Sequence, residues 1–98
     1  MCIIIIEEKE AADNVEELAK VPGIDVLFIG FADMTYSQTG TKGGFNDPKV
    51  QKAIDKVLAV GKKYGIPVGG PCGCPDMMKK LVKRGFRFFE APTELGFL

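Results

Sequence analysis

The feature that most constrains the fold of this chain is a run of four isoleucines, Ile3–Ile6, which leads directly into Glu7 and Glu8. Four β-branched residues in succession indicate a strand buried on both faces, as strands of parallel sheets are. In parallel α/β folds, ligands and catalytic groups collect at the carboxyl ends of the strands. Glu7 stands where this strand ends, so we expect its carboxylate at that edge of the sheet.

A second acid repeats the arrangement. The predicted strand over residues 25–29 runs through Gly30 into a segment that carries Asp33. Two parallel strands that each deliver one carboxylate to the same rim make a plausible divalent-metal site. The competing interpretations are a solvated or helix N-terminal acid for Glu7 and a turn residue for Asp33. If the predicted end of the first strand is shifted by one residue, Glu8 takes the place of Glu7 as the ligand.

Strands and helices alternate along the chain in the order β-α-β-α-β-α-β. Predicted strands cover residues 2–7, 25–29, 66–69 and 86–90, and predicted helices cover residues 10–20, 47–65 and 75–85. The second helix has Asp47 as N-cap and Pro48 at its first position, both of which are favoured there. Residues 30–46 are predicted to form a long loop, and loops of that length are usually functional or mobile.

Two details of the helices follow from residue preferences. Asp13-Asn14 is expected to break or restart the first helix, because both residues favour caps over helix interiors. The third helix is expected to turn Met78, Leu81 and Val82 inward and its lysines outward.

Alternating strands and helices imply parallel pairing with right-handed crossovers. Four strands and three helices fit one domain over residues 1–98, either a small open sheet or half of an eight-stranded barrel. The half-barrel explains more, because all four strands are short and apolar and polar residues follow them. Four strands cannot close a barrel, so one apolar face and two sheet edges would remain uncovered.

Composition narrows the function further. Thirteen basic and thirteen acidic residues cancel, which argues against a nucleic-acid partner. The isoleucine run is too short for a signal peptide or a membrane span, so a cytoplasmic protein is the expectation. Cys2, Cys72 and Cys74 make a poor disulfide framework. The 98 residues contain no histidine, so they cannot by themselves build a Ser-His-Asp or Cys-His site.

Two glycine-rich segments have competing interpretations. Residues 40–44 mimic a phosphate-binding loop but lack the Gly-Lys-Ser/Thr run that opens a helix, so a flexible loop is favoured. Residues 69–74 either line the rim that carries the two acids or simply make a tight turn.

Several motifs resemble one family in their order and spacing: Ile6-Glu7-Glu8, residues 21–25, residues 28–33, residues 84–88 and Leu95-Gly96. Together they resemble the HpcH/HpaI aldolase family, the metal-dependent class II pyruvate aldolases related to citrate lyase β subunits. The resemblance covers nearly the whole chain but only the C-terminal portion of that family's TIM-type (β/α)8 barrel.

The resemblance implies a function and a site. Glu7 and Asp33 would bind Mg²⁺ or Mn²⁺, and the backbone beside Asp33, at Gly30, Ala32 and Asp33 itself, would hold the carboxylate of a pyruvate-like keto acid. The reaction would be reversible cleavage of a hydroxy-oxo-acid to pyruvate and an aldehyde. The family's catalytic His and substrate-binding Arg belong to the other half of the barrel, so no catalytic residue is assigned in this segment.

The chain departs from the family pattern at three places. Phe31 stands where Pro is usual, Ile5 where Gln is common, and residues 91–94 replace Gly-Ser-Asp. A non-catalytic half-barrel that self-associates or needs a companion half is therefore the alternative to a lyase. Under either interpretation, a homo-oligomer or a companion barrel half is expected, with no nucleic-acid or membrane partner.

Overall fold

Four parallel strands form one sheet in the order of the chain. The computed structural model describes residues 1–40, 47–73 and 75–90, and the strands are β1 (Ile3–Ile6), β2 (Val26–Ile29), β3 (Val68–Pro71) and β4 (Phe88–Glu90). In the register, Ile6 pairs with Ile29, and Gly69 pairs with both Phe28 and Phe88. The predicted parallel α/β architecture is confirmed, and all four carboxyl ends lie at one edge.

Five helices connect these strands within the described residues: α1 (Lys9–Asp13), α2 (Val15–Ala19), α3 (Phe31–Thr39), α4 (Pro48–Tyr64) and α5 (Pro75–Arg84). The predicted break in the first helix is confirmed, since Asn14 leaves helical geometry with φ −101° and ψ 15°. In the ranges that the structure covers, no helix is both long and apolar enough to cross a membrane.

Helix α4 organises the core. It begins where predicted, because the Asp47 side chain accepts a hydrogen bond from the Lys49 amide at 2.8 Å, and it ends at Gly65, which has φ 68°. It packs against α1, α2, α3, β2 and β3. Its buried residues are Val50, Ala53, Ile54, Val57, Val60 and Gly61. These residues form the centre of the core on one face of the sheet.

The predicted loop over residues 30–46 is wrong at its start, where α3 forms instead. Phe31, Met34 and Thr35 are buried, which is the spacing of one helical face. Thr35 and Thr39 bond their hydroxyls to the carbonyls of Phe31 and Thr35, both at 2.7 Å. Threonine and serine have modest helix propensity, so burial against α4 outweighs local preference. Residues 41–46 lie outside the described part of the chain.

The predicted inward face of α5 is also wrong in part. Leu81 is buried, and Met77, one turn earlier, packs against the core. Met78 and Val82, which were expected inward, are 40% and 41% exposed. One residue along a helix rotates the side chain by about 100°. The core reaches only the narrow strip that carries Met77 and Leu81, so their sequence neighbours turn outward.

The other face of the sheet is left uncovered by the described residues. Ile3 and Ile5 point there, and Ile5 is 55% exposed, so the prediction that β1 is buried on both faces is wrong for this part of the chain. Phe28 and Phe88 meet edge to face on the same side, with ring centroids 6.3 Å apart. Gly69 lies between them, and a Cβ there would sit 2.5 Å from the Phe88 carbonyl oxygen.

Candidate functional site

Glu7 lies at the carboxyl end of β1, with its side chain against the end of β2. The Gly30 amide donates to the Ile6 carbonyl at 3.0 Å, which continues the pairing of the two strands. A Cβ at position 30 would lie 3.1 Å from Glu7 Cβ and 3.4 Å from Glu7 Oε2. The missing side chain at Gly30 therefore leaves the space in which the half-buried Glu7 carboxylate lies.

Asp33 lies in the first turn of α3, at the carboxyl end of β2. The Met34 amide makes the first bond of this helix, to the Gly30 carbonyl at 2.9 Å. The amides of Ala32 and Asp33 precede that bond, so they have no acceptor within the helix. They give this end a partial positive charge that favours an anion. The Asp33 carboxylate and a turn whose amides suit an anion thus stand side by side.

One cavity of about 440 Å³ joins the predicted acids. It is lined by Glu7, Glu8, Asp33, Tyr36 and Ser37. The structure thus brings together Glu7, Asp33 and the competing ligand Glu8. Ala32 is exposed next to Asp33. Because the Gly30 amide is already engaged with Ile6, Gly30 contributes space to this site rather than a hydrogen-bond donor.

A hydrogen bond between two helices shapes the cavity wall. The Lys9 amide at the start of α1 donates to Ser37 Oγ at 2.9 Å. This bond satisfies one of the unpaired N-terminal amides of α1. It also holds the short segment of Glu7 and Glu8 against the second turn of α3.

Tyr36 and Ser37 were missed by sequence reasoning, because both fall in the predicted loop. Their spacing from Asp33, three and four residues, is the signal that would have found them once a helix was assumed.

The remaining glycine-rich and C-terminal motifs do not join this cavity within the described residues. Gly69 and Gly70 belong to β3, and Cys72 is buried. Cys74 and residues 91–98, including the Leu95-Gly96 motif, lie outside the described ranges. Gly40 ends α3 with φ 76°, and the rest of the predicted phosphate-like loop also lies outside them.

A larger cavity, of about 680 Å³, lies at the opposite end of the sheet and contains none of the predicted site residues. The two arginines of its lining have structural partners: Arg87 donates to the carbonyls of Val82 and Phe86 at 3.0 and 2.8 Å. Arg84 donates to Gln51 and Asp55 at 2.9 and 2.8 Å. Cations at helix C-termini complement the helix dipole, so this cavity is not the candidate site.

The donor set at the rim suits a hard cation. Glu7 and Asp33 offer only oxygen atoms, which Mg²⁺ and Mn²⁺ prefer, and the space over Gly30 accommodates the Glu7 carboxylate. In the part of the chain that the structure describes, no group of three or more metal-binding side chains is assembled. Two protein carboxylates would leave other coordination positions for water or a chelating ligand, the arrangement usual for Mg²⁺.

The family model for HpcH/HpaI aldolase/citrate lyase matches residues 1–96. The chain belongs to the HpcH/HpaI aldolase/citrate lyase family. The resemblance seen in the sequence motifs is confirmed by this match. The placement of the segment in the C-terminal portion of the family barrel stays a prediction.

Two curated aldolases are similar to this chain in sequence. A 2-dehydro-3,6-dideoxy-6-sulfogluconate aldolase from Pseudomonas putida is 32% identical over 99% of this chain and 38% of its own length. A 5-keto-4-deoxy-D-glucarate aldolase from Klebsiella pneumoniae is 31% identical over 96% of this chain and 36% of its own length. The chain therefore spans less than two fifths of these curated relatives.

A solved structure of the family has the same fold. An HpcH/HpaI aldolase/citrate lyase family protein from Burkholderia cenocepacia superimposes with a TM-score of 0.89 and 32% identity. The match covers 97% of this chain and 37% of that protein. The expectation of a partial TIM-type barrel is confirmed by this comparison.

Proposed function

We propose that this chain provides the metal- and carboxylate-binding rim of a class II aldolase. The reaction is cleavage of a hydroxy-oxo-acid to pyruvate and an aldehyde. The observation that carries the proposal is the cavity in which Glu7 and Asp33 meet beside the N-terminal turn of α3. The two aldolases named above act on keto-deoxy sugar acids by their names, which supports a substrate of that class.

Each group at the rim has a role in this proposal. The Glu7 and Asp33 carboxylates hold a divalent cation, Mg²⁺ or Mn²⁺. The amides of Ala32 and Asp33 donate to the substrate carboxylate, whose charge the helix terminus favours. A cation held there would supply Lewis-acid polarisation of the keto group. By the family resemblance, the catalytic His belongs to the other half of the barrel, so in this proposal the proton-transferring base comes from another segment or chain.

Metal binding tests the proposal directly. Calorimetric titration with Mn²⁺ should show weak binding that becomes tighter when pyruvate is present, because two carboxylates leave open coordination positions. Glu7→Gln and Asp33→Asn should each weaken Mn²⁺ binding by about tenfold or more, equivalent to about 1.4 kcal/mol.

Glu10→Gln is the matched control, because Glu10 is an exposed acid of α1 that does not line the cavity. It should leave the Mn²⁺ affinity unchanged. Equal Mn²⁺ affinity in the wild-type chain and both site variants would contradict the proposal.

The uncovered sheet face supports a further part of the proposal, that this chain acts within an assembly. Ile3, Ile5, Phe28 and Phe88 present apolar surface that the described residues leave open. Apolar surface of this kind marks an interface. We infer that the rim acts within a larger assembly, either a homo-oligomer or a complex with a companion barrel half.

A further inference from the structure

Tyr36 lies on the wall of the cavity but holds neither the metal nor the carboxylate in the proposed function. It follows Asp33 by three residues in α3, and residues three apart are neighbours on one helix face. Helical side chains tilt toward the N-terminus of their helix, so Tyr36 leans toward the turn that carries Asp33. Its side chain is 56% exposed, and among the described residues its hydroxyl has no hydrogen-bond partner.

The chain's other tyrosine is used differently. Tyr64 is half-buried, and its hydroxyl donates to Glu16 Oε1 at 3.1 Å. The Lys63 ammonium lies 5.4 Å from the centre of its ring. Tyr64 therefore has a structural role between two helices, whereas Tyr36 lines the cavity that contains Glu7 and Asp33.

The other residues of the cavity wall differ from Tyr36 in what they can offer a ligand. Ser37 accepts the Lys9 amide and so holds the wall together. Glu7, Glu8 and Asp33 are acceptors when ionised. The Tyr36 hydroxyl can donate a hydrogen bond to a neutral oxygen of a ligand while its ring covers the adjacent carbon atoms. Ser37 keeps its own O–H as a donor, but it has no ring and its oxygen is held by the Lys9 amide.

We propose that Tyr36 determines specificity for the part of a hydroxy-oxo-acid that lies beyond the pyruvate unit. Its hydroxyl donates a hydrogen bond to the oxygen on C4, which is an alcohol before cleavage and an aldehyde afterwards. This inference rests on the proposed function, which holds the substrate carboxylate at the first turn of α3. The remainder of the substrate then extends along the wall toward Tyr36 in the second turn.

A matched pair of ligands tests this contact. 4-Hydroxy-2-oxopentanoate and 2-oxopentanoate differ only in the C4 hydroxyl, and each can compete with pyruvate for the Mn²⁺-loaded chain in calorimetry. We expect the wild-type chain to bind the hydroxy acid about five- to tenfold more tightly, the effect of one hydrogen bond. Tyr36→Phe should abolish this preference and leave pyruvate affinity unchanged, whereas the control Tyr64→Phe should retain the preference.

The outcomes separate this inference from the function on which it rests. A wild-type chain that binds neither Mn²⁺ nor pyruvate overturns the proposed function, and the role of Tyr36 with it. If pyruvate binds, equal affinity for the two oxopentanoates, or a preference that survives Tyr36→Phe, overturns the role of Tyr36 alone. A Tyr36→Phe variant that loses pyruvate and both acids equally also overturns it, because that pattern indicates a structural residue.

Discussion

At the scale of single residues, Gly30 decides where the Glu7 carboxylate can lie. Its backbone has φ −86° and ψ 93°, which any residue can adopt, so conformational freedom is not the reason for glycine here. The reason is contact, because a methyl group would meet Glu7 Cβ at 3.1 Å and Oε2 at 3.4 Å. The geometry of the proposed metal ligand thus depends on a residue that has no side chain.

Gly30→Ala should therefore reduce metal affinity at a modest cost in stability. The Glu7 carboxylate can rotate aside, and the contact between the two Cβ atoms needs a shift of a few tenths of an ångström, so we expect a stability cost of about 1 kcal/mol. The carboxylate then leaves its position beside Gly30. We expect Mn²⁺ affinity to fall several-fold in calorimetry while the urea midpoint falls modestly. Gly73→Ala is the control, since a Cβ at Gly73 has nothing within 4 Å. Unchanged Mn²⁺ binding in Gly30→Ala would argue against Glu7 as a ligand.

At the scale of elements, polar contacts join the two short helices after β1 to α4. Lys63 Nζ lies 2.6 Å from Glu16 Oε1, and Lys56 Nζ donates to the Asp13 carbonyl at 2.7 Å. Hydrogen bonds from Lys63 and Tyr64 lower the pKa of Glu16 below its ordinary value of 4.5. The same contact with Glu16 raises the pKa of Lys63 above 10.5.

These pKa shifts define the pH range over which the contact between Glu16 and Lys63 stabilises the fold. A lowered carboxyl pKa stabilises the fold above the unfolded value and loses this effect as the pH falls through the folded value. A raised lysine pKa stabilises the fold below 10.5 and loses this effect as the pH rises through the folded value. The link between α2 and α4 is therefore strongest near neutral pH.

Glu16→Gln should lower the thermal midpoint slightly at neutral pH, because the ion pair is exposed and screened by solvent. The difference from the wild-type chain should vanish as acid protonates Glu16. The measurement is thermal unfolding followed by circular dichroism over a pH series. Glu17→Gln is the control, since Glu17 pairs with Lys20 beside it and does not reach α4. A midpoint difference that persists in acid would show that the effect of the Glu16→Gln substitution is not electrostatic.

At the scale of the whole molecule, the sheet has helices on one face and an apolar surface on the other. Parallel sheets are normally covered on both faces, and both edge strands, β1 and β4, have one unpaired side within the described residues. Eight strands close a barrel of this type, and four are present here. A partner that completes such a barrel would have to cover both the face and the edges.

We expect the 98-residue chain to associate in solution through this face. Sedimentation equilibrium should give a mass above 10.6 kDa for the wild-type chain, and Ile5→Lys should shift the mass toward the monomer by placing a charge on the apolar surface. Val82→Lys is the control, because Val82 is similarly exposed but lies on α5, away from this face. A stable wild-type monomer that binds no hydrophobic dye would contradict this expectation.

Local signals were enough to predict much of this protein. The order of strands and helices follows from apolar runs and caps such as Asp47 and Gly65, which act through neighbouring residues. The positions of Glu7 and Asp33 at one rim follow from parallel strands, whose carboxyl ends share an edge. The family resemblance then linked these two acids to a particular chemistry.

Long-range packing decided the remaining features. Residues 31–39 became a helix because Phe31 and Met34 are buried in the common core, an effect that their local preferences do not reveal. Tyr36 and Ser37 joined the site as a result, one turn beyond Asp33. Met78 and Val82 turned outward because the core reaches only a narrow strip of α5. In each case burial involves residues that are distant in the chain, so the local sequence does not reveal it. Its free energy is larger than the local preferences from which a sequence is interpreted.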